Sequence, residues 1–174
     1  MAGGSPQALR DAQALFLERW GDMGPAWGVS RTLSQIHALL MISPGPLNTD
    51  QVMEGLDISR GSAHTNLHEL CDWGLVRRVR LPGDRKDYYE AEKDVWRVTQ
   101  LLARQRRRRE VEPTVEALDA CLEQTRGLRG AEAKAFRGQL EELRRFAGLG
   151  ENVLRKLENQ HASRILSWIA RFLK

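Results

Sequence analysis

Membrane-length apolar runs, paired cysteines and a leader-like start are all missing from this sequence of 174 residues. No stretch approaches the ~18 apolar residues that a membrane span needs. Residues 1–6 are small and polar, with no apolar run behind a basic start, so no secretory signal is expected and a cytoplasmic protein is. Cys71 and Cys121 are the only cysteines. They sit far apart with no paired spacing, so both are expected to be reduced and structural. Signatures of catalysis are missing too. There is no phosphate-binding glycine loop, no metal-binding helix motif, and no nucleophile with an identifiable base. The expectation is a protein that is not an enzyme and holds no cofactor or metal. Internal repeats and long disordered segments are also absent.

What is present fits one domain, or one small domain with a helical extension. A chain of 19.8 kDa can bury a core without disulfide staples. Hydrophobic residues make up 41% and charged residues 29%, a balance that argues against disorder. Lys and Arg number 27 against 23 Asp and Glu, for a net charge of +4 and a pI near 9.4. That excess is too small by itself to identify a nucleic-acid partner. Its distribution is more informative. Residues 1–47 are neutral, residues 48–93 carry seven basic and nine acidic groups (net −2), and residues 94–174 carry 17 and 11 (net +6). Within the acidic middle, residues 77–86 hold Arg77, Arg78, Arg80, Arg85 and Lys86 against Asp84 alone. Local charge decides phosphate contact, because salt screening limits reach to about 8–10 Å.

Apolar spacing predicts a helix over 7–23, with Leu9, Ala12, Phe16, Trp20 and Met23 on one face, and a second over 28–42 through Val29, Leu33, Ile36 and Leu40. Ser43-Pro44-Gly45-Pro46 stops the second. Asn48 and Gln51 have capping-box spacing for a short helix over 49–56, Asp57 tolerates a left-handed turn, and Ser59 caps a third helix over 60–73 that Gly74 ends. Residues 75–91 read as two strands around Pro82-Gly83-Asp84. The rest reads as helix: one from Asp94 toward Arg109, interrupted or restarted at Pro113; one over 131–147 closed by Gly148-Leu149-Gly150; and one over 151–172. The fold class expected is mainly α with a small β-hairpin wing, a winged helix-turn-helix plus a helical dimerisation region. Residues 1–25 form an N-terminal helix expected to pack on the dimerisation region, 26–93 the winged domain, and 94–174 the dimerisation region.

The runs ISRGSAHTNLHELCDWGLVRRV at 58–79 and GDRKDYYEAE at 83–92 resemble the recognition helix and wing of the GbsR branch of the MarR-type regulators. The resemblance covers about 26–97. It implies a dimeric bacterial transcription factor, usually a repressor, that binds palindromic double-stranded DNA and changes its grip when a small ligand binds. Some members of that branch respond to choline or related quaternary ammonium compounds. His68 stands where the family often has arginine, and Ala63 and His64 are individual, so no operator transfers from a relative.

On the third helix Ala63, Leu67, Leu70 and Cys71 fall on a core face. Gly61, Thr65, His68 and Glu69 face the other way, flanked by Arg60, Ser62, His64 and Asn66. Arg60 is the candidate for guanine O6/N7 and Asn66 for adenine, while Ser62 and Thr65 suit phosphates or bases. The bland alternative is a solvated face with Asn66 bonded to local backbone. Arg78, Arg80, Arg85 and Lys86 complete the expected DNA-binding set. Arg85 is placed for the minor groove, with Asp84 orienting it. The run Arg104, Arg106, Arg107, Arg108 and Arg109 reads as a solvated helix face, with phosphate contacts beside the main site as the alternative. His64 and His68, four apart, have metal-ligand spacing but no third ligand nearby. Leu154, Leu157, His161, Ile165, Trp168 and Phe172 form one seam expected to mediate dimerisation. Trp20 and Trp27 are candidates for a cation cage around a quaternary ammonium effector, with core packing as the alternative. Cys71 lacks a cation that would activate it. The leading reading is a ligand-responsive homodimeric repressor reading a palindromic operator. The competing one, supported by the acidic middle segment, is a winged-helix protein-interaction module without specific DNA binding.

Overall fold

The computed structural model of the chain describes residues 6–159 and divides it into two compact units, Met1–Asp94 and Val95–Lys174. The first unit is ordered α1 (Pro6–Met23), a single 3-10 turn (Pro25–Trp27), α2 (Arg31–Ile42), β1 (Leu47–Asn48), α3 (Thr49–Leu56), α4 (Arg60–Asp72), β2 (Val76–Arg80) and β3 (Asp87–Ala91). The second contains α5 (Val95–Arg106), a wider π-type turn (Arg107–Val111), α6 (Glu112–Gln124) and α7 (Ala131–Asn159).

Local side-chain chemistry sets the boundaries in the first unit. Ser30 caps α2, its hydroxyl accepting from Leu33 N at 3.0 Å. Asn48 and Gln51 close a reciprocal capping box on α3, at 3.0 Å and 2.9 Å. Ser59 accepts from Ser62 N at 3.2 Å to start α4. Asp57 takes φ 51° between α3 and α4, the left-handed turn expected of it, and Gly74 takes φ 75° after α4. Glycine is required at position 83 in the wing, where φ is 81°.

The sheet has three antiparallel strands in the order β1-β3-β2, one more than expected. β1 pairs Leu47 with Tyr89 and Asn48 with Tyr88, tying the entry to α3 onto the wing. β2 and β3 run in register from Val76 opposite Ala91 to Arg80 opposite Asp87. The core of the unit lies between α2, α3, α4 and the sheet. Ile36, Leu40, Val52, Leu67, Leu70 and Leu75 are its largest fully buried side chains, joined by Leu33, Ala63 and Tyr89. α1 packs on α2 within this unit.

Ser34, His37, Ser43 and Asn48 are the buried polar residues of this unit among the described residues, and His37 stands apart from the others. His37 is 6% exposed, and its Nε2 has no hydrogen-bond partner among the described residues. Burial lowers its pKa from 6.5 to about 4. The unfolded chain therefore takes up a proton near pH 6.5, while the folded chain does so only near pH 4. Stability is fully present above pH 6.5 and falls as pH drops through that window, by roughly 3 kcal/mol in all. Urea titrations at pH 7 and pH 4.5 should show this loss largely removed in His37→Leu. An equal loss in both proteins contradicts the assignment.

The second unit departs from expectation at three places. Pro113 occupies the first turn of α6, where a missing N–H costs nothing, so the chain passes from α5 through the π-type turn into α6 without a break. Gly148-Leu149-Gly150 does not close a helix either. α7 runs through it as one helix of 29 residues. A helical glycine costs only about 1 kcal/mol relative to alanine, and packing of α7 on α5, α6 and the π-type turn outweighs it. Arg107 is no part of a solvated face. Its guanidinium grips Glu158 of α7 at 2.6 and 3.2 Å and also pairs with Glu112. Arg144 reaches Asp119 of α6 at 2.7 Å, and Arg137 donates to the carbonyls of Thr125 and Leu128, satisfying the end of α6.

Candidate nucleic-acid interface

α3, the Asp57 turn and α4 make a helix-turn-helix, and β2, Pro82-Gly83 and β3 make its wing. α4 packs through Ala63, Leu67 and Leu70, all at 0% exposure. Its opposite face presents Arg60, Gly61, His64, Thr65 and His68 to solvent, with Ser62 and Asn66 half-buried. A Cβ added at Gly61 would meet no atom within 4 Å, so this point of the helix is open to the close approach of a ligand.

Asn66 is held by the protein. Its Nδ2 donates to Ser62 O at 2.8 Å, and its Oδ1 accepts from the Ser30 hydroxyl at 3.2 Å. Oδ1 thus ties α4 to the cap of α2 while Nδ2 is held by the preceding turn of α4 itself, and a bidentate adenine contact has to release or share both bonds. The His64 and His68 rings stack with centroids 4.2 Å apart. Among the described residues no group of three or more His, Cys, Asp or Glu side chains could hold a metal ion.

The wing turn is built by Asp84, which accepts from Lys86 N at 2.8 Å and from the Tyr88 hydroxyl at 2.8 Å. These bonds hold its carboxyl below the usual carboxylate range. Asp84 thus shapes the backbone that carries Arg85 and Lys86. Behind the tip, Arg78 and Arg80 share Asp87 at 3.3 and 3.7 Å, and Arg77 reaches Glu90 at 2.7 Å. Among the described residues Arg85 is the one basic side chain of 77–86 with no ion pair. All these pairs are exposed, and each contributes about 0–1 kcal/mol, so phosphates can replace the carboxylates.

Sequence reasoning missed Asp50, two residues beyond the α3 cap. One oxygen accepts from Arg60 at 2.6 Å and the other from Lys86 at 3.0 Å. The Lys86 and Arg60 bonds hold the Asp50 carboxyl below the usual range, and Asp50 in turn raises the Lys86 ammonium. The first residue of the reading helix and the wing tip therefore meet on one carboxylate. An acidic residue in the first turn of α3 was the available signal, but spacing alone does not reveal partners ten and 36 residues away.

Three further expectations concern the surroundings. Trp20 and Trp27 do meet, edge to face at 5.3 Å, with Phe16 5.3 Å from Trp20. The rings pack on one another instead of facing across a gap. Cys71 is half-buried, and burial raises its thiol pKa, the opposite of activation. Of the dimerisation seam, Leu154 and Leu157 are half-buried on α7, while His161, Ile165, Trp168 and Phe172 lie outside the described residues.

Comparisons with known proteins agree with this geometry. Residues 27–87 match the profile of the MarR family. Over 88 residues the chain is 24% identical to a Bacillus subtilis (strain 168) protein named "Putative HTH-type transcriptional regulator YvaV". That match takes in 51% of this chain and spans about half the length of the relative. A solved structure titled as a transcriptional regulator superposes with a TM-score of 0.65 at 20% identity, over 83% of this chain and 94% of the other. That likeness extends the shared fold well beyond the winged domain. Capped helices, turn, wing and profile coincide over one stretch of sequence: the winged helix-turn-helix is similar to the MarR family over residues 27–87.

Proposed function

We propose that this chain is a sequence-specific DNA-binding transcriptional regulator working as a homodimer. The observation that carries the proposal is the exposed N-terminal face of α4 lying beside a basic wing tip, joined to it through Asp50. The N-terminal residues of such a helix reach base edges in the major groove, and a wing arginine suits the minor groove. Arg60 is the base reader, Ser62 and Thr65 contact phosphate or base, and Arg85 supplies sequence-independent attraction. His64 and His68 widen the reading face. The DNA-free pairing of Arg77, Arg78, Arg80 and Lys86 favours the second reading, a protein-interaction module. Unpaired Arg85 at the tip and the exchangeable nature of surface pairs favour DNA.

Dimerisation is supported by α7. Leu143, Phe146, Leu149 and Val153 follow one another at helical spacing and are all exposed, Phe146 at 77%. This stripe precedes Leu154 and Leu157 and forms a second apolar face on the helix. An apolar stripe beside a packed face suits a second copy of the same helix. The repressor role, the palindromic operator and the effector belong to the same proposal. For a quaternary ammonium effector the place to look is the exposed Trp27 ring beside Trp20.

The test uses a duplex selected from a random pool. Arg60→Ala should relax preference at one base pair per half-site, by about 1–3 kcal/mol. Arg85→Ala should weaken selected and scrambled duplexes alike and reduce the salt slope by about 1. Uniform loss with unchanged base preference for Arg60→Ala overturns its role.

A further inference from the structure

We infer that Asp50 is a specificity-determining residue: its carboxylate clasps Arg60 and Lys86 together in the DNA-free protein and withholds both cations from phosphates of non-cognate DNA. The inference rests on the DNA-binding reading above.

The geometry is that of an acceptor standing in for nucleic acid. Each Asp50 oxygen takes one cation, Arg60 at 2.6 Å and Lys86 at 3.0 Å. All three side chains are about half exposed or more, so the clasp lies on the surface that DNA would approach. Two cations and one anion present a net charge of +1 to an incoming phosphate. Without the carboxylate they would present +2.

The clasp affects different sequences unequally. On a non-cognate duplex Arg60 and Lys86 can remain on Asp50, and binding is no tighter for their presence. On the cognate site guanine offers Arg60 two acceptors, and a bidentate contact outweighs the single exposed pair it replaces. Without Asp50, both cations are free to take a phosphate on any sequence. Every additional phosphate neutralised changes affinity by a few-fold at moderate salt and steepens the salt slope by about 0.9. Asp50 thus lowers non-cognate affinity more than cognate affinity. A merely structural residue in the first turn of α3 would do neither.

The experiment compares wild type with Asp50→Asn on a pool-selected duplex and a scrambled one, from 50 to 200 mM salt. Asp50→Asn should bind the scrambled duplex about three- to tenfold more tightly, with a slope steeper by about 1–2, and should bind the selected duplex with a smaller increase in affinity. The ratio of the two affinities therefore falls. Adding Arg60→Gln and Lys86→Gln to Asp50→Asn should abolish the difference, because the clasped cations are then gone. An unchanged ratio, or equal weakening on both duplexes, overturns the inference while wild-type selectivity leaves the DNA reading intact. A wild-type protein that selects no sequence overturns both. Thermal melts of each variant separate these outcomes from misfolding, and the exposed Asp50 should tolerate asparagine with little change.

Discussion

Glutamate at both Leu143 and Phe146 is expected to leave a folded monomer that binds the selected duplex at least about a hundredfold more weakly than wild type. Both side chains are exposed in the single chain, so charge there should not disturb the packing of α7 on α5 and α6, where Leu140 is the buried contact. Two carboxylates placed in an apolar seam between copies are costly, because a buried charge without a partner is strongly destabilising. Splitting the dimer separates the two reading helices, and a two-site grip can exceed a single-site one by 10²–10⁴. Sedimentation equilibrium and duplex titration check the two halves of this expectation. A double variant that remains dimeric shows that another surface joins the copies.

Leu67→Ala carries the second large effect, a loss of about 2–5 kcal/mol in the stability of the first unit. Leu67 is at 0% exposure on the inward face of α4, among Ala63, Leu70 and the core side chains of α2 and α3. Deleting it leaves a cavity directly beneath the reading face. α4 is fixed by that packing together with the Asn66 link to Ser30, so duplex affinity should fall along with stability. Thr65→Ala, on the exposed face, should change stability by less than about 0.5 kcal/mol. Urea denaturation of both variants decides the matter. A loss below about 1 kcal/mol for Leu67→Ala contradicts the placement of α4 in the core.

The winged domain was readable in the sequence because its boundaries are set by short-range chemistry. Asn48 with Gln51, Ser59 with Ser62 N, and Asp57 in a left-handed turn each involve partners within a few residues. The core face of α4 followed from helical spacing for the same reason. What escaped depends on partners brought together by folding. β1 has two residues, too few for a period, and exists because β3 offers it a ladder. Arg107, within the mostly exposed run Arg104–Arg109, looks solvated until Glu158 is brought to it from 51 residues away. Glycines 148 and 150 resembled a helix stop because their weak local preference was weighed without the packing that holds α7. Asn66 had two readings at the start, and the Ser30 hydroxyl, 36 residues earlier, favours the structural one in the DNA-free chain. Asp50 is the most consequential omission. Its meaning lies entirely in which two cations the fold brings to it.

The central claim is that α4 and the wing read a DNA sequence. The direct test is selection of duplexes from a random pool by the full chain, followed by titration of the selected and scrambled duplexes at 50 and 200 mM salt. A recovered site with two-fold symmetry, half-sites about one helical turn apart, and affinity well above the scrambled control at both salt concentrations is the predicted result. Recovery of no consensus, with equal weak binding to both duplexes, contradicts the claim and leaves the winged domain as a protein-binding module.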